Sequence, residues 1–199
     1  IRGGGNPGGS SPVPPASNRL VALDLRKEGK VLWSVGSSSG EDEPALRDTF
    51  FLGPPLPIQG RLYVLAEQGV EIRLMALAET TGQLLWSLPI AVPERNILSD
   101  PVRRLAGAMA SYADGVLVCP SSAGAIVAVD PWTRNILWAY EVPLSESSPH
   151  SVRAQLLRAL GGVRIPQENL QNLHCSCDST VALANGYGVV APVESDQLL

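Results

Sequence analysis

The sequence has few of the side chains on which enzymes most often rely. Its 199 residues include two histidines and three cysteines, so a catalytic triad has only His150 and His174 as possible bases. The G-x-S-x-G, phosphate-loop and H-E-x-x-H motifs are also missing. We therefore expect no catalytic residue, no cofactor-binding residue and no metal ligand in this chain.

Neither the charge nor the apolar runs point to nucleic acid or to a membrane span. The 15 basic and 19 acidic residues give a formal net charge of -4, which leaves no extended positive surface for phosphates. No apolar run reaches about 18 residues, the length that a transmembrane helix needs. The sequence predicts no nucleic-acid partner and no transmembrane segment.

Glycine and proline are abundant, with 19 and 17 residues, as in folds with many turns. Residues 1–17 are so rich in Gly, Pro and Ser that we interpret them as a linker. Residues 18–199 form the predicted folded part, and 45% of the whole chain is hydrophobic. Because the chain starts with Ile and stops inside an apolar run, we expect it to be a segment of a longer protein.

One pattern occurs three times. The copies are NRLVALDLRKEGKVLWSV (18–35), VEIRLMALAETTGQLLWSL (70–88) and GAIVAVDPWTRNILWAYEV (124–142). An alanine precedes a tryptophan by 11 residues in the first copy and by 10 in the others, and successive tryptophans are 53 and 52 residues apart. The repeated positions are Ala22, Ala76 and Ala128, followed by Trp33, Trp86 and Trp138. The chain is therefore built from a repeating unit.

Each copy has the pattern of a β-hairpin, with two apolar runs joined by a short corner. The corner residues that favour a turn are Asp24, Asp130, Gly29 and Gly82. The aspartates can accept backbone N–H groups of the turn, and the glycines tolerate a positive φ. Arg134 replaces glycine in the third copy, so either Asn135 adopts the left-handed conformation or that corner is strained.

Short apolar runs upstream of each hairpin indicate two further strands, so each unit holds four. Such a unit is too small to bury its own faces and must stack on its neighbours. We therefore predict an all-β fold, a β-propeller of four-stranded antiparallel blades docked through tryptophans, with about three blades present and one short helix in an insertion. The predicted blade repeats are about 18–36, 53–88, 107–142 and 179–199.

The pattern Ala-x-Asp-x-x-Thr-Gly-x-x-x-Trp resembles the tryptophan-docking repeat of the pyrroloquinoline-quinone-like (PQQ-like, or quinoprotein-like) β-propellers. The resemblance assigns a blade-docking role to the repeated alanines, tryptophans, aspartates and glycines named above, while Ala78 stands where the second copy should have Asp. Closed propellers of this superfamily have seven or eight blades, so the rest of the chain would supply the others. The resemblance also implies a periplasmic or cell-surface location.

Three insertions separate the predicted blades, at 36–52, 89–106 and 143–178. They connect the last strand of one blade to the first strand of the next, so they should emerge on one face, where propellers usually bind partners. We expect protein partners at this loop-bearing face; neutral surface decoration is the alternative. Residues 148–162 are predicted to form a helix that packs on the rim or binds a partner, whereas the charged residues 95–104 are expected to be solvated.

The segment HCSCD (174–178) is the one cluster of residues suited to metal binding or thiol chemistry. Its two thiols lack the second ligand pair that a zinc site needs. Free thiols, a disulfide or a metal site remain open, with Cys119 as the third thiol. Quinone-dependent alcohol dehydrogenases of the resembling superfamily place a disulfide between adjacent cysteines, whereas Ser176 separates Cys175 from Cys177.

These observations favour a non-catalytic binding or scaffold module over an enzyme. The resemblance leaves two alternatives. One is a fragment of a PQQ-dependent alcohol or sugar dehydrogenase, which would bind PQQ with calcium. The other is a propeller like the outer-membrane protein assembly lipoprotein.

Overall fold

The computed structural model describes residues 16–141, 181–184 and 187–190. Most of the predicted linker, the predicted helix at 148–162 and the HCSCD cluster lie outside these ranges. The strands are β1 (Leu20–Asp24), β2 (Lys30–Val35), β3 (Thr49–Phe51), β4 (Leu56–Ile58), β5 (Arg61–Gln68), β6 (Glu71–Ala78), β7 (Leu84–Ala91), β8 (Ser111–Ala113), β9 (Val116–Pro120), β10 (Ala125–Asp130), β11 (Asn135–Glu141), β12 (Val181–Ala184) and β13 (Tyr187–Val190). A short helix, α1 (Pro101–Ala106), and three short 3-10 helices (Leu25–Lys27, Pro44–Leu46 and Ile97–Ser99) connect strands in the described ranges.

The strands form antiparallel sheets whose order follows the chain. One sheet has the order β8-β9-β10-β11, the arrangement of a propeller blade, and β5, β6 and β7 form a second sheet in which both β3 and β4 pair with β5. Two-stranded sheets, β1-β2 and β12-β13, lie at the two ends of the described chain. The predicted all-β propeller fold is confirmed, whereas β3 was not predicted, since it lies inside the expected first insertion.

The sheet that contains β5 and β6 is buried on both faces. Because side chains alternate along a strand, Leu65 and Leu74 pack toward β9 and β10, while Val64 and Met75 pack toward β2 and β3. All four side chains are at most 1% exposed. Stacking of neighbouring sheets thus supplies the core that no single sheet has.

The connections alternate between the two ends of the strands. The β2–β3 and β7–β8 connections and the β5–β6 and β9–β10 turns lie at one end, which we call the insertion face. The β1–β2, β6–β7 and β10–β11 turns lie at the other end, and we call these turns the corners. No helix in the described ranges is long and apolar enough to cross a membrane.

Candidate binding site on the insertion face

The first insertion is held against the turn between β5 and β6. The side-chain amide of Gln68 donates to the carbonyls of Ala45 and Arg47, at 2.9 and 3.2 Å. Leu46, between them, is fully buried. This loop is therefore an ordered part of the insertion face.

The second insertion is anchored by a buried ion pair. The guanidinium of Arg103, in α1, bonds the carboxylate of Glu67 in β5, and both side chains are at most 3% exposed. The other carboxylate oxygen of Glu67 accepts the backbone N–H of Ile97 at 2.7 Å. The expectation that residues 95–104 are solvated is therefore wrong for Ile97, Asp100 and Arg103, which are buried. It is correct for the exposed members of the segment, Asn96, Leu98, Ser99 and Pro101. Burial of Ile97 and the ion pair between Arg103 and Glu67 hold this segment against the sheets. The local sequence reveals neither contact.

Arg103 also reaches the neighbouring sheet. Its guanidinium donates to the Arg95 carbonyl at 2.8 Å and its Nε to the Ser122 hydroxyl, in the turn between β9 and β10, at 3.4 Å. Its backbone N–H donates to the carboxylate of Asp100 at 3.1 Å. One side chain thus joins α1, the preceding loop and two sheets, which fixes the position of the second insertion.

A pocket of about 470 Å³ opens between this insertion and the sheet of β10 and β11. Its wall includes residues from the end of β7, the loop after it, the β9–β10 turn and the end of β11. The lining residues are Ile90, Ala91, Val92, Pro93, Glu94, Arg95, Asp100, Arg103, Ala123, Gly124, Ala125, Ala139, Tyr140 and Glu141. The volume lies within the range of protein binding pockets.

The residues of the repeat are equivalent in three dimensions. Each repeated alanine is the cross-strand partner of its tryptophan, and each hairpin has a register shift directly after that alanine. The pairs are Ala22 with Trp33, Ala76 with Trp86, and Ala128 with Trp138. These residues lie within strands, and none of them lines the pocket.

The three tryptophans have different surroundings. Trp33 donates its indole N–H to the Glu79 carbonyl at 3.0 Å and lies against Gly82, where a Cβ would come within 2.6 Å of the ring. Trp86 is 8% exposed, packs edge-to-face on Tyr63 with ring centroids 5.8 Å apart, and finds no hydrogen-bond acceptor among the described residues. Trp138 is 49% exposed within the described part of the chain.

The corners share one backbone geometry. Gly29, Gly82 and Arg134 all have positive φ, at 77, 73 and 62°, and their N–H groups donate to the carbonyls of Asp24, Ala78 and Asp130 respectively. Arg134 itself, not Asn135, thus adopts the left-handed conformation. Its guanidinium lies 6.0 Å from the centre of the Trp86 ring, on the neighbouring sheet.

The two corner aspartates accept hydrogen bonds from their own turns. Asp24 accepts the N–H of Arg26 at 3.0 Å, and Asp130 accepts those of Trp132 and Thr133 at 2.8 and 3.2 Å. The bonds from Trp132 and Thr133 lower the pKa of Asp130. They stabilise the ionised carboxylate at the start of the turn.

Cys119 is a buried free thiol in β9. Burial raises the pKa of this thiol to about 12, which removes the thiolate that reacts with electrophiles and metals. In the described ranges, no three His, Cys, Asp or Glu side chains come close enough to hold a metal ion. Cys119 is therefore a packing residue.

Sequence reasoning missed the ion pair that fixes the second insertion beside the pocket. Glu67 ends the apolar run LYVLAE and looked like the polar end of a strand, and Arg103 looked like part of a charged loop. The signal that could have indicated Glu67 is its position in the sequence. It directly follows the apolar run LYVLA, two residues before Gly69 of the turn. A partner 36 residues away leaves no local pattern.

A family model described as "Outer membrane protein assembly factor BamB" matches residues 5–169. Three solved structures are similar at low identity. BamB from Moraxella catarrhalis is 19% identical over 63% of this chain and 47% of that chain, with a TM-score of 0.37. A europium-containing methanol dehydrogenase is 18% identical over 62% and 29%, with a TM-score of 0.40. The quinohemoprotein alcohol dehydrogenase ADHIIG from Pseudomonas putida HK5 is 19% identical over 62% and 24%, with a TM-score of 0.41.

No curated protein matches this chain. The chain spans less than half the length of the three solved structures. The family model covers most of the sequence and agrees with the repeat and the blade-like sheets. The chain therefore belongs to the PQQ-like β-propeller repeat family, within the group described as outer membrane protein assembly factor BamB.

Proposed function

We propose that this chain is part of a non-catalytic binding module whose protein partner docks on the insertion face. The observation that carries the proposal is the buried bond between Glu67 and Arg103, which fixes an insertion beside an open pocket. By itself, a buried ion pair is weak evidence for stability, because burying the two charges costs desolvation energy. The structural effect of this pair is to hold the loop in one conformation.

Ordered loops favour binding because less conformational entropy is lost when a partner docks. Both insertions are attached to the same strand, β5, through Gln68 and Glu67. Both insertions are therefore anchored at neighbouring residues of one strand.

The family suggests the class of partner. The matching model is described as an outer membrane protein assembly factor, so we propose that the partner is a protein of the machinery that assembles outer membrane proteins. The location would then be the periplasm or the cell surface. Blade docking through Trp33, Trp86 and Trp138 would hold the binding face together and would take no part in recognition.

Site-specific photocrosslinking of the full-length protein in its own cells tests the proposal. A benzophenone amino acid at Val92, which is 70% exposed beside the pocket, should give a defined adduct. Leu25 is the matched control, an apolar residue 88% exposed in a corner at the opposite end of the strands. An adduct with an assembly component at Val92 and none at Leu25 supports the proposal; equal labelling, or none, contradicts it.

The alternative, that the protein is an enzyme, predicts cofactor binding and turnover. A PQQ-dependent dehydrogenase must bind the quinone with calcium and reduce a dye in the presence of an alcohol or a sugar. Equilibrium dialysis of the full-length protein with PQQ and Ca²⁺, followed by that assay, separates the two. Binding with turnover would overturn the non-catalytic proposal.

A further inference from the structure

We propose that the pocket on the insertion face receives a lysine or arginine side chain of the partner protein. This inference rests on the proposed function, since it names the chemistry that the partner presents. It follows from the charges in the pocket wall, from an exposed aromatic ring, and from apolar surfaces beside them.

Acidic residues outnumber basic residues around the pocket. Glu94, Asp100 and Glu141 contribute three negative charges to the wall, against the guanidinium groups of Arg95 and Arg103. The charge of Arg103 is already balanced by Glu67, a residue outside the lining. The wall and Glu67 together carry four acidic and two basic groups, so a cation is favoured there over an anion.

The donors of Arg103 are also committed. Its guanidinium bonds Glu67, the Arg95 carbonyl and Ser122, so an incoming carboxylate or phosphate would have to displace an existing bond. Such an anion would meet Glu94 and Glu141, whose side chains are exposed. Binding of an acidic ligand is therefore disfavoured for two reasons, the occupied donors of Arg103 and the nearby carboxylates.

Tyr140 adds a second feature that suits a cation. It lines the pocket and is 44% exposed, and a tyrosine ring attracts an ammonium or guanidinium group placed over its face. Ile90 and Ala125 supply apolar wall for the methylene groups of a long side chain. Lysine and arginine combine both requirements, a charged end and an apolar stem.

Two matched peptides test the inference. We would titrate the ¹⁵N-labelled full-length protein with a nine-residue Gly/Ser peptide that carries one central lysine, and with the same peptide carrying glutamate. The lysine peptide should shift the amide signals of Val92, Gly124 and Ala139, with weak affinity that falls as salt is added. Equal shifts with the glutamate peptide, or no shifts at these amides, would overturn the inference.

Variants locate the interaction. Glu94→Gln and Glu141→Gln should each weaken binding of the lysine peptide by about two- to fivefold, as expected for partly exposed ion pairs. Glu79→Gln removes the same charge from a corner at the other end of the strands and should leave binding unchanged. Tyr140→Phe should retain binding and Tyr140→Leu should weaken it, because only the first keeps the ring.

The outcomes separate this inference from the proposed function. Suppose that Val92 crosslinks to a partner, but Glu94→Gln and Glu141→Gln leave both the adduct and the peptide titration unchanged. The proposed function is then supported, and the inference that the pocket receives a basic side chain is refuted. If the lysine peptide binds as described while no partner crosslinks, the pocket chemistry stands and the assembly role fails.

Discussion

The indole N–H of Trp33 donates to the backbone carbonyl of Glu79, 46 residues further along the chain, at 3.0 Å. The same ring lies where a side chain on Gly82 would have to stand. A tryptophan of one sheet therefore contacts the corner of the next sheet through one hydrogen bond and one position that must lack a side chain.

Gly82→Ala should destabilise the protein more than Gly60→Ala. Both glycines have positive φ, at 73 and 77°, but a Cβ at position 60 meets nothing within 4 Å, whereas one at 82 would lie 2.6 Å from the Trp33 ring. We expect the additional loss to be about 1–3 kcal/mol, the usual cost of overpacking. Urea unfolding of the two variants measures it, and equal losses would show that the ring moves aside freely.

Arg134 should be replaceable by glycine without loss of stability. A residue with a side chain in the left-handed conformation costs about 1–2 kcal/mol, while an exposed cation over an aromatic ring contributes about 0.5–1 kcal/mol. Arg134→Gly should therefore raise the free energy of unfolding or leave it unchanged, and Arg134→Ala, which keeps the strain, should lower it. Thermal unfolding of both variants tests this order; a larger loss in the glycine variant would contradict it.

Glu67→Gln should be strongly destabilising. It leaves the buried guanidinium of Arg103 without its counter-charge, which typically costs about 3–5 kcal/mol. Asp42→Asn, which breaks the exposed ion pair of Asp42 with Arg19, is the control and should cost at most about 1 kcal/mol. Denaturant unfolding compares them.

The double variant Glu67→Gln with Arg103→Met sharpens that comparison. If the unpaired charge causes the loss, removing Arg103 as well should recover part of the stability. A double variant less stable than Glu67→Gln alone would mean that the other hydrogen bonds of Arg103 dominate.

Cys119 should be inert toward thiol reagents in the folded protein. Its pKa of about 12 leaves almost no thiolate at pH 8. In a chain with Cys175→Ser and Cys177→Ser, so that Cys119 is the remaining thiol, Ellman's reagent should react only after denaturant is added. Rapid reaction of the native chain would contradict the buried position.

Asp130 should titrate below its ordinary pKa of 3.8, because two turn N–H groups stabilise the carboxylate. A lowered folded-state pKa contributes stability above the unfolded pKa, and that contribution is lost as the pH falls through the folded pKa. The stability difference between the natural chain and Asp130→Ala should therefore be largest near neutral pH and shrink in acid. Unfolding measurements across this pH range check the sign, and a carboxyl NMR titration gives the pKa directly.

The repeat could be predicted because it is local. Ala76 and Trp86 are ten residues apart on paired strands, so their spacing, the apolar alternation and the corner residues all lie within one short segment. The Glu67–Arg103 pair and the strand β3 depend on contacts between distant segments, and their residues look like ordinary polar or loop residues in the sequence. The same holds for Tyr140, whose position in a repeat strand gave no sign of the pocket.

The first corner differs from the others in length and leaves the hairpin unchanged. Its extra residue falls between Asp24 and Gly29, where the 3-10 helix Leu25–Lys27 is followed by Glu28 and Gly29, both with positive φ. Ala22 still pairs with Trp33. A corner thus absorbs a change in length that a strand could not, since a slip of one residue would turn every side chain to the opposite face. The β1–β2 corner is therefore the place to graft an epitope or a reporter peptide, at the end of the sheets remote from the pocket.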